Sequence, residues 1–191
     1  MSEPNKTPSL AESASATPAP PEVVATQSLT AGDLRGIALF AGLGDEVFEH
    51  FASTLQARVL QPGTVVFREG DPARALFVLL AGELEVTKQS RRGSEARVAI
   101  LGPNDTFGEM SLLDMQPRSA TVRTLSPVRL VEFGADALDD LYRRDVRAYA
   151  LLVLNLARDL SRRLRVADGL VASFAATFAD EYPGRANRPA G

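Results

Sequence analysis

FGEMSLLDMQPRSATVRT, residues 107–124, is the stretch on which the reading of this chain turns. Gly108 and Glu109 open it after Phe107, the run Met110-Ser111-Leu112-Leu113 follows, and a lone arginine, Arg118, stands ahead of Ser119, Ala120 and Thr121. The first part follows a strand and can make one or two helical turns. A helix start presents unpaired backbone N–H groups and a partial positive charge, which suits an anion of modest charge. Gly108 lets the backbone approach closely and adopt a positive φ. Arg118, on the far side of the turn, offers a planar fork for two phosphate oxygens, and Ser119 a hydroxyl beside it. Glu109 repels phosphate, yet it can accept a hydrogen bond from a sugar hydroxyl nearby. The set therefore suits a compact monoanionic phosphate next to a free hydroxyl. A ribose 3′,5′-cyclic phosphate, its 2′-OH free for Glu109, meets that description. The alternative, open at this level, is a buried Glu109–Arg118 ion pair that only pins a loop.

Working outward, glycines at 63, 70, 82, 93 and 102 punctuate β-rich runs: ARVL, TVVF, ALFVLLA, ELEVTK and ARVAIL, then SATVRTL and VRLVEF beyond the opening stretch. Short strands between turn glycines indicate a β-sandwich or barrel. Gln61-Pro62-Gly63 and Glu69-Gly70-Asp71-Pro72 are turns, because proline presets φ and glycine admits positive φ. Upstream, DLRGIALFAGL and DEVFEHFASTL read as two short amphipathic helices. Residues 1–30, rich in Pro, Ala and Ser, cannot bury enough surface to offset their ordering entropy and read as a disordered tail.

After Gly134, ADALDDLYRRD reads as a short helix and the sequence from Val146 as a long one. Val146, Tyr149, Val153, Leu156 and Leu160 form a heptad-like seam, and Leu152, Leu156, Leu160 and Leu164 another. That stripe either packs on the β domain or pairs with a second copy as a homodimer. Gly169 is expected to end or kink the helix, leaving 169–191 as a short helical extension and polar tail. Arg158, Arg162, Arg163 and Arg165 read as a solvated helix face. Arg91-Arg92-Gly93-Ser94 reads as a polar hairpin turn, with a basophilic kinase site as the sharper alternative.

Composition excludes several classes. There are no cysteines, so disulfides, thiolate metal sites and cysteine nucleophiles are out. The single histidine, His50, lies in an expected helix and reads as a surface residue; no nucleophile elbow accompanies it. No carboxylate pair, metal cluster or nucleophile–base pair stands out, so an enzyme is not expected and no cofactor is implied. A net charge of −3 does not suggest a nucleic-acid binder. No apolar run approaches the roughly 18 residues of a membrane span, and no signal peptide opens the chain, which points to the cytoplasm. All 21 basic residues except Lys6 and Lys88 are arginines, a hint of a GC-rich genome.

The turn glycines, the Phe-Gly-Glu opening and the Arg-Ser-Ala-Thr-Val strand together resemble the cyclic nucleotide-binding domain family, the module of the bacterial catabolite activator protein, protein kinase regulatory subunits and cyclic-nucleotide-gated channels. The resemblance covers roughly residues 35–168, with the domain placed at 31–168, and is most specific in FGEMSLLDMQPRSATV, which looks like the family's phosphate-binding cassette. It implies a mainly β fold: an eight-stranded β-roll, jelly-roll-like, with flanking helices and a long C-terminal helix closing over the base. It implies that Gly108 and Glu109 meet the ribose, that Arg118 and Ser119 hold the cyclic phosphate, and that the backbone at Met110 and Ser111 helps. Phe107 and Ala120 complete that set.

Two departures follow. The stretch after Gly169 is too short for the winged helix-turn-helix of the family's transcription factors, so no nucleic-acid partner is expected. Hydroxyl residues that bond adenine in the activator are replaced here by Ala167 and Asp168; Arg165 or Asp168 could substitute, and Arg165 joins the expected ligand set. The expected role is a stand-alone bacterial sensor of cyclic AMP ahead of cyclic GMP, acting through helix movement on an effector protein. The preference rests on Arg118-Ser119-Ala120, similar to the bacterial activator's triplet. The alternatives are an interaction protein with a non-binding pocket and a sensor of another messenger such as cyclic di-GMP.

Overall fold

The computed structural model describes residues 23–72, 75–90 and 93–181. Among these residues nine strands form two antiparallel sheets. They are β1 (Val23–Ser28), β2 (Gln56–Leu60), β3 (Val65–Phe67), β4 (Ala75–Ala81), β5 (Leu84–Gln89), β6 (Glu95–Leu101), β7 (Thr106–Phe107), β8 (Thr121–Thr124) and β9 (Val128–Gly134). One sheet runs β1-β2-β9-β4-β7 and the other β3-β8-β5-β6. The helices are α1 (Ala31–Leu34), α2 (Asp45–Thr54), α3 (Met110–Leu113), α4 (Ala135–Arg144) and α5 (Val146–Glu181), with a 3-10 turn at Ala38–Phe40.

The alternation of β4 and β9 explains the architecture. Ala75, Phe77 and Leu79 point into the roll with Val128 and Leu130, where they meet Leu60, Val66, Leu84, Leu101, Phe107 and Val122. Leu76 and Val78 point the other way with Val131 and Phe133, against the helices. A strand buried on both faces reads as an unbroken apolar run, which is why ALFVLLA shows no alternation. The helical layer closes on Phe40, whose ring packs against Phe48, Phe51 and Phe133. Each such ring, fully buried, contributes about 1.5–3 kcal/mol. Buried Asn155 ties α5 to this layer by donating to Leu39 O and Ala41 O, at 3.1 and 2.8 Å.

Four expectations change. The fold is a jelly-roll-like β-roll, as the resemblance implied, but with nine strands instead of eight. The extra one is β1, inside the segment expected to be disordered; residues 1–22 of that tail lie outside the described residues. Every β1 side chain is exposed, and the strand is ordered by backbone pairing with β2, a source of order that hydropathy does not register. The long helix passes straight through Gly169 to Glu181, since a mid-helix glycine costs only about 1 kcal/mol against alanine. His50 is not a free surface group: its Nε2 lies 2.7 Å from Asp140 Oδ2 and joins α2 to α4. The β5–β6 hairpin is present, with Ser90 N–H donating to Ser94 O at 2.8 Å. Arg91 and Arg92 of the weighed kinase motif lie outside the described residues.

Candidate functional site

The stretch 107–122 wraps one end of the β-roll around a cavity of about 180 Å³. Phe107, Gly108, Glu109, Met110, Ser111, Arg118, Ser119 and Ala120 all line it, and Phe67, Val86, Leu101 and Val122 form an apolar wall opposite. A larger cavity, about 630 Å³, lies between α2, β2, β9 and α4. There Arg58 already pairs with Glu132 and His50 with Asp140, each at 2.7 Å, so the smaller cavity is the better candidate.

Arg118 is the anchor. Its backbone is fastened on both sides to the turn between β3 and β4: its N–H donates to Asp71 O at 2.9 Å and its carbonyl accepts from Gly70 N–H at 2.8 Å. Its guanidinium lies 4.1 Å from the centre of the Phe67 ring and 5.4 Å from that of Phe77, within reach of cation–π attraction. Nη1 donates to Ala75 O at 2.9 Å and to Gly108 O at 2.8 Å. Nε is buried and has no acceptor among the described residues. A buried donor without an acceptor is costly, and a ligand is one way to satisfy it. Burial lowers the Arg118 pKa, while Glu132, Asp71 and Glu109 pull it back up; arginine remains charged at any ordinary pH.

Gly108 meets both demands made of it. Its φ is +77°, and a Cβ there would sit 2.5 Å from Arg118 Nη1. The missing side chain is the space that the guanidinium uses.

Glu109 is 4% exposed and caps α3 in helical geometry. Burial pushes its carboxyl above the ordinary range, opposed by its own backbone N–H and by Arg163. The expected alternative, a Glu109–Arg118 ion pair, does not form. Glu109 Oε1 instead takes a long contact, 3.4 Å, from Arg163 Nη1. Arg163 Nη2 also donates to Thr106 O, and its Nε pairs with Asp159 at 2.8 Å. The helix α5 is thereby fastened across the mouth of the cavity.

The sequence reading missed Arg163 and placed it on a solvated face. Arg158 and Arg162 do stay on the helix surface, bonding Asn155 and Asp159. Arg165 is exposed and lines no part of the cavity, and Asp168 is exposed as well. At roughly 100° per residue, Arg165 lies on the opposite side of the helix from Arg163. A signal was available: at spacings of four, three and four, Leu152, Leu156, Asp159 and Arg163 share one helix face, and Leu152 and Leu156 are buried.

Known proteins are similar to this chain in sequence and in fold. Residues 57–145 match the family model described as the cyclic nucleotide-binding domain. The cyclic AMP receptor protein of Thermus thermophilus is 35% identical over 139 residues, covering 71% of this chain and 61% of that protein. A cAMP-dependent protein kinase regulatory subunit from Yarrowia lipolytica is 34% identical, over 60% of this chain and 30% of its own length. The solved N-terminal domain of a transcriptional regulator from Streptomyces coelicolor superposes with a TM-score of 0.61 at 32% identity, covering 69% of this chain and 94% of that domain. The chain thus spans about three fifths of the length of the bacterial receptor it matches, and less of the kinase subunit. No described helix is long and apolar enough to cross a membrane. The chain belongs to the cyclic nucleotide-binding domain family.

Proposed function

We propose that the cavity binds cyclic AMP in preference to cyclic GMP and that the chain acts as a signalling sensor, not as an enzyme. The observation that carries this reading is the Nε–H of Arg118, buried and, among the described residues, without an acceptor, in a cavity with apolar lining. An equatorial phosphate oxygen supplies that acceptor, and Ser119 Oγ and the first amides of α3 supply further donors. Glu109 accepts from the ribose 2′-OH. Phe67, Val86, Phe107, Leu101 and Val122 pack against the sugar. The relatives named for cyclic AMP support the choice of ligand.

The cavity is smaller than the roughly 300 Å³ at which ligand pockets usually begin. Arg163 and α5 give way as the nucleotide enters, and α5 then settles over the base. Leu112 and Leu113 of α3 face Leu138 and Tyr142 of α4 and Leu152 and Leu156 of α5 across a space of about 360 Å³. A shift of α3 toward the phosphate changes how α4 seats in that space, and the ligand biases this two-state hinge by its differential affinity.

The far half of α5 supports a second copy as one partner. Leu164, Val166, Leu170 and Val171 are each more than 60% exposed, and an unsupported helix with such a surface is marginal in water. Leu160, Leu164, Ala167 and Val171 continue the heptad and form the pairing seam. An effector protein is the other partner of this reading.

Isothermal titration with cyclic AMP and cyclic GMP tests the proposal. Cyclic AMP is expected to bind more tightly, at one site per chain; absence of binding by both would contradict it.

A further inference from the structure

The cavity holds one oxidisable atom. The chain has no cysteine, so its sulfur is confined to methionine, and among the described residues these are Met110 and Met115. Met110 lines the cavity and is 47% exposed, open to a small solute. Ser119 Oγ donates to its Sδ at 3.6 Å. Met115 is 81% exposed on the loop after α3 and lines no part of the cavity.

We propose that Met110 is an oxidation site that switches the nucleotide cavity off, a step that rests on the assignment of Ser119 to the cyclic phosphate. A thioether is a weak acceptor, so the Ser119 hydroxyl leaves it at little cost when a phosphate arrives. Hydrogen peroxide, a two-electron oxidant, changes that balance. The sulfur lone pair attacks one peroxide oxygen, the O–O bond breaks, and that oxygen stays on sulfur. The other oxygen leaves as water after taking up the attacked oxygen's proton. Sulfur is oxidised by two electrons and the peroxide is reduced by two.

The product is a polar sulfoxide whose oxygen is a strong acceptor. It retains the Ser119 hydroxyl and sets a negative dipole beside the place of the phosphate oxygens. Glu109, the residue before it, lines the same cavity. The sulfoxide thereby opposes the anion that Arg118 attracts and withholds the Ser119 donor from it. Methionine sulfoxide is reducible enzymatically, so the change is reversible in principle.

The test titrates cyclic AMP by calorimetry before and after treatment with hydrogen peroxide, with peptide mass spectrometry locating the added oxygen. Wild type, Met115→Leu and Met110→Leu are compared, each against its own untreated affinity. Wild type and Met115→Leu are expected to lose at least about tenfold in affinity, an easily read difference of about 1.4 kcal/mol, in step with oxygen on the Met110 peptide. Met110→Leu is expected to keep whatever affinity it starts with. Oxygen on Met110 without loss of affinity would overturn the switch, as would equal loss in Met110→Leu or oxidation confined to Met115. Untreated protein that binds neither cyclic AMP nor cyclic GMP would instead remove the functional reading, and the switch with it.

Discussion

Two arginines line the same cavity, and they are held in opposite ways. Arg118 grows out of the β-roll, fixed through its backbone to the Gly70–Asp71 turn, through Nη1 to two carbonyls, and by the Phe67 ring beneath it. Arg163 comes from α5, with its side chain 39% exposed, and reaches the roll through Glu109 and the Thr106 carbonyl. Arg118 is therefore preorganised and needs no rearrangement to meet an anion. In the proposed reading Arg163 is a fastening that the ligand undoes, since its partners, Glu109 and the Thr106 carbonyl, are groups a ligand would approach. A binding site that must also report occupancy needs both kinds: a rigid seat and a contact whose loss frees a helix.

Substitutions break this contrast in order of size. Arg118→Ala should cause the largest loss, about 2–4 kcal/mol of binding free energy, because a charge-assisted contact in a buried setting disappears. Titration calorimetry reads it, and a loss below tenfold would mean that the cation is structural only. Glu109→Ala should follow at about 1–3 kcal/mol for a ribonucleotide, the usual cost of removing one partner of a buried hydrogen bond. A 2′-deoxy analogue should bind that variant and the wild type almost equally; equal losses for both sugars would contradict the assignment to the ribose.

Glu109 also carries a pH signature that sharpens the difference between seat and fastening. Its folded pKa is raised, chiefly by burial. The stability linked to its protonation is present below the ordinary carboxylate range and is lost as pH rises through the raised value. In melting experiments without ligand, Glu109→Gln should match the wild type at acidic pH and exceed it as pH rises past that point. A constant difference at all pH values would locate the effect elsewhere. Arg163→Ala should be the mildest change, with under about 1 kcal/mol of stability at stake, because the arginine side chain is partly exposed and its contact with buried Glu109 is long at 3.4 Å. Faster amide hydrogen exchange along α5 near residue 163 should accompany it. Unchanged exchange there would show that α5 is held by Asn155 and its apolar face alone.

The same contrast explains what could be read from the sequence. That residues 107–120 gather around one cavity was legible because they are close in sequence. Gly108, Glu109, Arg118 and Ser119 lie within a dozen positions, and Gly108 is required by the positive φ it adopts and by the closeness of Arg118. The β-roll was legible through its turn glycines and apolar runs. What escaped depends on contacts distant in sequence. Arg163 meets Glu109 across 54 positions, and only the continued register of Leu152 and Leu156 hints at it. The pairing of His50 with Asp140 spans 90 positions. Strand β1 buries no side chain and leaves no hydropathic trace. The run of α5 past Gly169 depends on a helix long enough to absorb one unfavourable residue.

The central claim is that the unsatisfied Nε–H of Arg118 is completed by a cyclic phosphate. Nitrogen-15 NMR of arginine side chains tests it directly, with the resonance assigned by its disappearance in Arg118→Ala. On saturation with cyclic AMP, the Arg118 Nε–H signal should move downfield and exchange more slowly with water. A signal that stays in place while cyclic AMP saturates the protein would contradict the account.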